Sequence, residues 1–158
     1  MKKRILFVCH GNICRSPMAE FRMKSLVEAA GMSDLYTIAS AATSTEEIGN
    51  PVYPPARKEL AAHGIGCDGK HARQITLEDY GIYDLIIGMD QANVRNMRRF
   101  WGGDPEGKIS LLLEHVEAND KAFYGRDVAD PWYTGDFKAT WEDVDKGCRG
   151  LLKEINQL

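Results

Sequence analysis

Residues 9–17, with the sequence CHGNICRSP, bring a thiol, a flexible backbone and a fixed positive charge into one short segment. Gly11 takes positive φ freely and Asn12 tolerates it better than most residues, so successive backbone N–H groups of this loop can converge on one point. Arg15 adds a planar fork of donors that matches two oxygens of a tetrahedral oxyanion. The segment therefore predicts a phosphate-sized anion site.

Cys9 would lie beneath the central atom of that anion and is the candidate nucleophile. The loop N–H groups, a helix dipole and the guanidinium all favour the thiolate over the thiol. Ser16 can hydrogen-bond the sulfur and make Cys9 a better leaving group. The alternative interpretation is that Cys9 is a small buried residue and that the loop is a generic turn between a strand and a helix.

The flanking residues predict the elements that must hold this loop. The apolar run over residues 5–8 suits a strand buried on both faces, which places Cys9 at its carboxyl end. Ser16 is a favoured N-cap and Pro17 a favoured first helical residue, so a helix is predicted over residues 17–30. The loop would then end at a helix amino terminus, which attracts anions.

The rest of the chain alternates between strand-like and helix-like segments. Further strands are predicted over residues 35–40, 83–89 and 109–113, and helices over residues 56–63, after Thr76, after Asp90 and over residues 137–155. This alternation predicts a doubly wound α/β sandwich, in which ligands bind outside the carboxyl ends of the strands. The polar residues 43–55 predict a long surface loop, a kind of segment that often carries function.

Composition narrows the class of protein. A chain of 158 residues with 44% hydrophobic residues predicts one domain, residues 1–158, with a proper core. The net charge of −3 argues against a nucleic-acid surface, and no apolar run is long enough for a signal peptide or a membrane span. A thiolate nucleophile needs a reducing compartment, so a cytoplasmic location is predicted. With no metal-ligand cluster in the sequence, no metal or cofactor is expected.

Residues 9–20, CHGNICRSPMAE, closely resemble the signature of the low-molecular-weight protein tyrosine phosphatases. Later blocks over residues 40–44, 72–74, 89–90 and 130–133 resemble the family in order and at similar spacing. The resemblance implies a four-stranded parallel sheet of order 2-1-3-4, a phosphotyrosine-containing protein as substrate, and phosphate or sulfate as ligands of the loop. It implies Cys9, Arg15 and Asp130 as catalytic residues and, as substrate-binding residues, His10, Gly11, Asn12, Ile13, Cys14, Ser16, Glu46, Trp132 and Tyr133.

Asp130 is the candidate general acid for the leaving phenolate. It precedes Pro131, which biases it away from helix, and two aromatic residues follow that could line a deep cleft. Asp-Pro is also a common turn, and Asp127 is the alternative acid. The implied mechanism has two steps, with a cysteinyl-phosphate intermediate that water then cleaves.

Three positions bear on how closely the site follows the family. Many relatives have a large aromatic residue where this chain has Glu46, which indicates either a more polar rim or a solvated loop charge. Lys70 occupies a place where the family often has histidine. The sequence leaves open whether this lysine supports the loop as that histidine would. Ser40 is either the family's hydrogen-bonding partner of Asn12 or an ordinary residue at a strand end.

Three other functions are alternatives to a tyrosine phosphatase. Arsenate reductases of this fold relay oxidation through cysteines close together in sequence, whereas Cys67 and Cys148 are far apart. Protein-arginine phosphatases tend to have threonine where this chain has Ile13, and a phosphotyrosine-binding module would not need Asp130. Cys14 lies five residues after Cys9, so the sequence also predicts either a reversible redox switch between them or simple packing of Cys14 beneath the loop.

Overall fold

The computed structural model describes residues 2–156. The four strands are β1 (Lys3–Cys9), β2 (Tyr36–Ala42), β3 (Leu85–Gly88) and β4 (Ile109–Leu111). The helices are α1 (Arg15–Ala29), α2 (Pro54–Ala62), α3 (Asp79–Ile82), α4 (Gln91–Trp101), α5 (Pro131–Thr134) and α6 (Phe137–Asn156). Short 3₁₀ turns cover Ser33–Leu35 and Leu112–His115.

The strands form one parallel sheet in the order β2-β1-β3-β4, which confirms the predicted fold class and strand order. Strand β1 is central, and its residues 5–8 are fully buried because both faces of the sheet are covered. Ile5 and Phe7 pack with residues of α1 and α6, whereas Leu6 and Val8 pack on the other face with Met97 of α4. The end of β1 therefore lies at the switch in strand order, where such sheets bind ligands.

Helix α6 closes one face of the sheet. Its buried stripe includes Trp141, Val144, Cys148 and Leu151, as its spacing predicts. The helix approaches the turn after β4 closely at Gly147, where an added Cβ would clash with the Leu112 side chain. Glycine at this position therefore allows α6 to pack closely against the turn.

Several predicted boundaries are wrong. Helix α1 begins at Arg15 rather than at Pro17, and Cys14 stands at its N-cap without a side-chain capping bond. Ser16 is therefore not the N-cap but a residue of the first helical turn. Its hydroxyl contacts the sulfur of Cys9. Thr76 does not cap a helix either, since α3 begins at Asp79.

The strands differ from their predicted bounds as well. Strand β2 runs two residues further than predicted, to Ala42, and its predicted first residue Leu35 lies in a 3₁₀ turn. Strand β4 ends at Leu111, after which the chain turns. Within residues 2–156, none of the helices is long and apolar enough to cross a membrane.

Candidate active site

The loop between β1 and α1 turns through a single left-handed residue. Asn12 has φ 60° and is the one non-glycine residue with positive φ in the described part of the chain. Gly11 is not among the residues with positive φ, so the expected use of Gly11 for that conformation is wrong. The strain of a left-handed asparagine must be balanced by its side-chain contacts.

Both the nitrogen and the oxygen of the Asn12 side-chain amide make hydrogen bonds. Its Nδ2 group donates to Ser16 Oγ at 2.8 Å and to Ser40 Oγ at 2.9 Å. Its Oδ1 accepts the backbone N–H of Arg73 at 3.2 Å. Ser40 thus occupies the position that the family resemblance implied, and the loop is tied to β2 and to the segment after α2.

Cys9 lies at the end of β1 and is nearly buried. Ser16 Oγ lies 3.0 Å from its Sγ, and the backbone N–H of Asn12 donates to the same sulfur at 3.3 Å. Hydrogen bonds to the charged form of a group favour that form, so both contacts can stabilise a thiolate. Ser16 has no exposed surface and is not among the residues that line the cleft, so its contact with the sulfur is its direct link to the site.

Arg15 is buried and carries its charge between two carboxylates. Its Nη1 donates to Asp90 Oδ2 at 2.9 Å and to the carbonyl of Val128 at 3.3 Å, and its Nη2 lies 3.4 Å from Asp130 Oδ2. Burial acts to lower the pKa of Arg15, but the negative charges of Cys9 and the two carboxylates prevail and raise it. The guanidinium is therefore a permanent cation at the floor of the site.

Asp90 belongs to the site, although the sequence placed it only before a helix and in a block that resembles the family. It does cap α4, in a reciprocal pair of hydrogen bonds with Asn93. Its second oxygen orients Arg15. A carboxylate directly after a predicted buried strand of a parallel sheet is the signal that could have identified it.

Asp130 and Asp127 have different surroundings. Asp130 precedes α5, and its Oδ1 accepts the backbone N–H of Trp132 at 3.1 Å. Its other oxygen faces Arg15 across the cleft. Asp127 instead accepts the backbone N–H of Gln91 at 3.0 Å and does not line the cleft. The geometry therefore favours Asp130 as the acid.

The cleft above the loop has a volume of about 480 Å³. Its lining includes residues 9–15 together with Glu46, Asp90, Asp130, Trp132 and Tyr133. The Trp132 ring packs against Tyr53 with ring centroids 5.3 Å apart, whereas Tyr133 is 86% exposed at the rim. Glu46 and His10 also line the cleft; Glu46 Oε2 lies 2.8 Å from His10 Nε2, and both side chains are exposed. The lining thus combines aromatic and polar residues.

Cys14 lies in the same loop but in a more apolar environment. It packs with Ile13, Ala72, Tyr53 and Phe137. Burial, with a smaller contribution from the negative charge of Cys9, raises the pKa of the Cys14 thiol to about 12. Cys14 is consequently a protonated thiol at neutral pH.

A buried ion pair lies beneath the loop. Ser40 Oγ donates to Glu20 Oε1 at 2.5 Å, and Lys70 Nζ donates to the carbonyl of Ser40 at 2.9 Å. Lys70 Nζ is also 3.5 Å from Glu20. Burial lowers the pKa of Lys70, and Glu20 opposes this effect. The lysine that replaces the family's histidine therefore contacts the residues that support Asn12.

Among the residues that the structure describes, no group of three His, Cys, Asp or Glu side chains is placed to bind a metal ion. The donors around the cleft are the guanidinium of Arg15 and the backbone N–H groups of the loop. Both recognise the oxygens of a tetrahedral anion. The site can therefore hold a phosphate group between a thiol and a carboxyl group.

Comparison with known proteins gives a consistent set of relatives. Residues 4–158 match the family model described as low molecular weight phosphotyrosine protein phosphatase. The chain is 39% identical over 153 residues to the low molecular weight protein-tyrosine-phosphatase YfkJ of Bacillus subtilis, covering 97% of this chain and 96% of that protein. It is 37% identical over 159 residues to the low molecular weight phosphotyrosine protein phosphatase of Rattus norvegicus, covering 98% and 96%.

Two solved structures align with nearly the whole chain. The crystal structure of YfkJ aligns with a TM-score of 0.93 at 37% identity and covers 99% of this chain and 96% of that one. The structure of DARP, a Drosophila arginine phosphatase, aligns with a TM-score of 0.82 at 27% identity and covers 98% of both chains.

Proposed function

The chain belongs to the low molecular weight phosphotyrosine protein phosphatase family, and on that premise we propose that it hydrolyses phosphotyrosine in protein substrates through a cysteinyl-phosphate intermediate. The observation that carries the proposal is the arrangement of the Cys9 sulfur, the Arg15 guanidinium and the Asp130 carboxyl group around one cleft. A nucleophile, an oxyanion cradle and an acid are the parts that transfer of a phosphoryl group to sulfur requires.

In the first step Cys9 Sγ attacks phosphorus and the bond from phosphorus to the tyrosine oxygen breaks. Asp130 gives its proton to that oxygen, so the tyrosine leaves as a neutral phenol. Arg15 and the backbone N–H groups of the loop stabilise the charge on the non-reacting oxygens. These groups supply the charge stabilisation, so the proposed steps use no metal or cofactor.

In the second step a water molecule attacks phosphorus and the bond from phosphorus to sulfur breaks. Asp130 now accepts a proton from the water, and inorganic phosphate is released. Cys9 leaves as a thiolate, which the Ser16 hydroxyl and the Asn12 N–H are placed to stabilise. The same contacts therefore serve both formation and breakdown of the intermediate.

The test compares two aryl phosphates that differ in how much their leaving groups need a proton. Because Asp130 also serves in breakdown of the intermediate, the comparison uses kcat/KM, which reports only the steps up to release of the phenol. Asp130→Asn should lower kcat/KM by roughly 10²–10⁴ with phenyl phosphate and much less with 4-nitrophenyl phosphate. Asp127→Asn is the matched control and should leave the ratio unchanged, because Asp127 lies outside the cleft. Equal losses on both substrates for Asp130→Asn would assign it a structural role only.

Cys9→Ser tests the nucleophile. The variant keeps Arg15 and the loop N–H groups, so it should bind inorganic phosphate while hydrolysing neither substrate. Steady hydrolysis by this variant would exclude the cysteinyl-phosphate route.

A protein-arginine phosphatase is the second candidate, because the fold is shared with a structure named as an arginine phosphatase. Ile13 lines the cleft with an apolar side chain, which suits an aromatic ring better than a guanidinium group. We expect kcat/KM to be higher for a phosphotyrosine peptide than for a matched phosphoarginine peptide. An arsenate reductase is less well supported, since Cys67 and Cys148 do not line the cleft.

We further propose that residues 1–158 act as one phosphatase domain in the cytoplasm, and that phosphate or sulfate can occupy the loop. We also propose that peroxide oxidises Cys9 first and that Cys14 traps the sulfenic acid as a disulfide, with loss of water. Because Cys14 must lose its proton to attack, its raised pKa should make that trapping slower at neutral pH than at alkaline pH.

A further inference from the structure

The segment that carries Asp130 is bonded to α6 at Ala129, the residue directly before the acid. The backbone N–H of Ala129 donates to Asp143 Oδ2 at 2.9 Å. Its carbonyl accepts the Thr140 hydroxyl at 2.9 Å. Thr140 and Asp143 are three residues apart on the same face of α6, so together they bond both polar groups of a single peptide residue.

The Asp143 carboxylate also has a cationic partner in the same segment. Arg126 donates from Nη2 to Asp143 Oδ1 at 2.7 Å and from Nη1 to Asp143 Oδ2 at 2.9 Å. Arg126 Nη1 donates in addition to the carbonyl of Asp127 at 3.0 Å. The carboxylate therefore accepts from two points on the chain that leads to Asp130.

Thr140 is fully buried and Asp143 is 3% exposed. A buried carboxylate is costly unless it is paired, and buried ion pairs often add little to stability compared with apolar residues of similar size. Their characteristic effect is to fix a geometry, because moving either partner leaves a charge unpaired. The position of these two polar side chains thus suggests that they hold the backbone of the segment in place.

We propose that Asp143 and Thr140 are positioning residues for Asp130. Ala129 and Asp130 are adjacent, so fixing both polar groups of Ala129 sets where the Asp130 carboxyl group stands over the cleft. The bond from Trp132 N–H to Asp130 Oδ1 fixes the side chain from the other direction. A displacement of about 1 Å at a reacting group can cost roughly 10²-fold in rate. This inference rests on the proposed role of Asp130 as the general acid.

The proposal predicts that loss of either positioning residue reproduces part of the kinetic defect that loss of the acid causes. Asp143→Asn and Thr140→Val should each lower kcat/KM with phenyl phosphate by about 10- to 100-fold. The value of kcat/KM for 4-nitrophenyl phosphate should fall much less, because its leaving group scarcely needs a proton. The inhibition constant of inorganic phosphate should not change, since the residues that bind the anion are not altered.

Asp145→Asn provides the matched control on the same helix. Asp145 pairs with Arg22 at 2.8 Å and with Arg149 at 2.9 Å, and so joins α6 to α1 rather than to the acid segment. Its loss should affect stability without changing the ratio of kcat/KM for the two aryl phosphates. Thr140→Ser keeps a hydroxyl and should restore most of the activity lost in Thr140→Val.

A double variant tests whether the effect passes through Asp130. When Asp130 is already asparagine, Asp143→Asn should lower kcat/KM with phenyl phosphate by less than about 3-fold, because no acid remains to be misplaced. Equal losses on both substrates, a full additional loss in the double variant, or the same change of ratio in Asp145→Asn would overturn the inference. A wild-type protein that hydrolyses neither substrate would overturn the proposed function itself and the inference with it.

Discussion

Replacement of Asn12 tests how the anion loop is held in its left-handed conformation. Asn12→Ala removes the hydrogen bonds to Ser16, Ser40 and the backbone of Arg73. At a net value of roughly 1 kcal/mol for each hydrogen bond, their loss costs about 3 kcal/mol. Alanine adds about 1 kcal/mol of strain at φ 60°. The free energy of unfolding should therefore fall by about 4 kcal/mol.

Asn12→Gly separates the two contributions. Glycine adopts the left-handed region without strain but makes none of the hydrogen bonds, and it also increases the entropy of the unfolded chain. Its cost should be smaller than that of alanine by at most about 0.6 kcal/mol, because the roughly 1 kcal/mol of strain that glycine avoids is offset by about 0.4–1 kcal/mol of unfolded-state entropy. For a domain of this size, the melting temperature should fall by about 2–4 °C for each kcal/mol.

Thermal unfolding followed by circular dichroism measures the melting temperatures of both variants in the same buffer. Turnover of 4-nitrophenyl phosphate should fall in both, because the Asn12 N–H that donates to Cys9 is no longer held in place by the side chain. If Asn12→Gly were as stable and as active as the wild type, the three side-chain hydrogen bonds would contribute nothing. Asparagine would then be needed only for its tolerance of positive φ.

Three further predictions concern neighbouring residues of the loop. Ile13→Thr should lower the ratio of kcat/KM for phosphotyrosine over phosphoarginine peptides, because a hydroxyl replaces an apolar contact with the ring, and an unchanged ratio would place specificity elsewhere. After equal exposure to peroxide and then dithiothreitol, the wild type should recover more activity than Cys14→Ser, and a peptide map without a linkage between Cys9 and Cys14 would leave Cys14 as packing only. Since burial raises the pKa of Cys14 to about 12 from 9.0, the folded state binds more protons than the unfolded state between these values. The free energy of unfolding should therefore fall as the pH rises through this range, and a urea titration series should show a flatter decline for Cys14→Ala.

The fold and the central loop were predictable because their signals are local. The apolar run over residues 5–8 has no polar alternation, which is typical of a strand buried on both faces of a parallel sheet. The loop residues follow it directly, so their chemistry and their place at the strand end could be inferred together. The long stripe on α6 indicated its buried face for the same reason.

The errors arose where a local rule competed with a contact from elsewhere in the chain. Ser16 has the type and position of an N-cap, yet its hydroxyl contacts the Cys9 sulfur and accepts from Asn12. Gly11 suits a positive φ, but Asn12 takes that conformation because partners from β2 and from Arg73 hold its amide. Propensity describes one residue at a time and does not include such partners.

The partners within the charged pairs that support the site could not be predicted from sequence. Glu20 lies in the signature-like segment and Lys70 at a place where the family often has histidine, but nothing in the sequence pairs them. Arg126 and Asp143 are charged residues of ordinary appearance. Only the tertiary structure brings each pair together and buries the carboxylate. Charged residues are usually exposed, so a search from sequence alone assigns them to the surface.

The two pairs support different parts of the site. Glu20 and Lys70 act on Asn12 through Ser40, and so concern the loop that holds the nucleophile and the anion. Asp143 acts on the segment of Asp130, and so concerns the acid. Arg15 connects the two parts, because it directly follows the loop as the first residue of α1 and its guanidinium faces Asp130. A change beneath the loop should therefore alter phosphate binding and turnover of every substrate, whereas a change beneath the acid should depend on the leaving group. The two kinds of support can thus be distinguished by kinetics even though their side chains lie around one cleft.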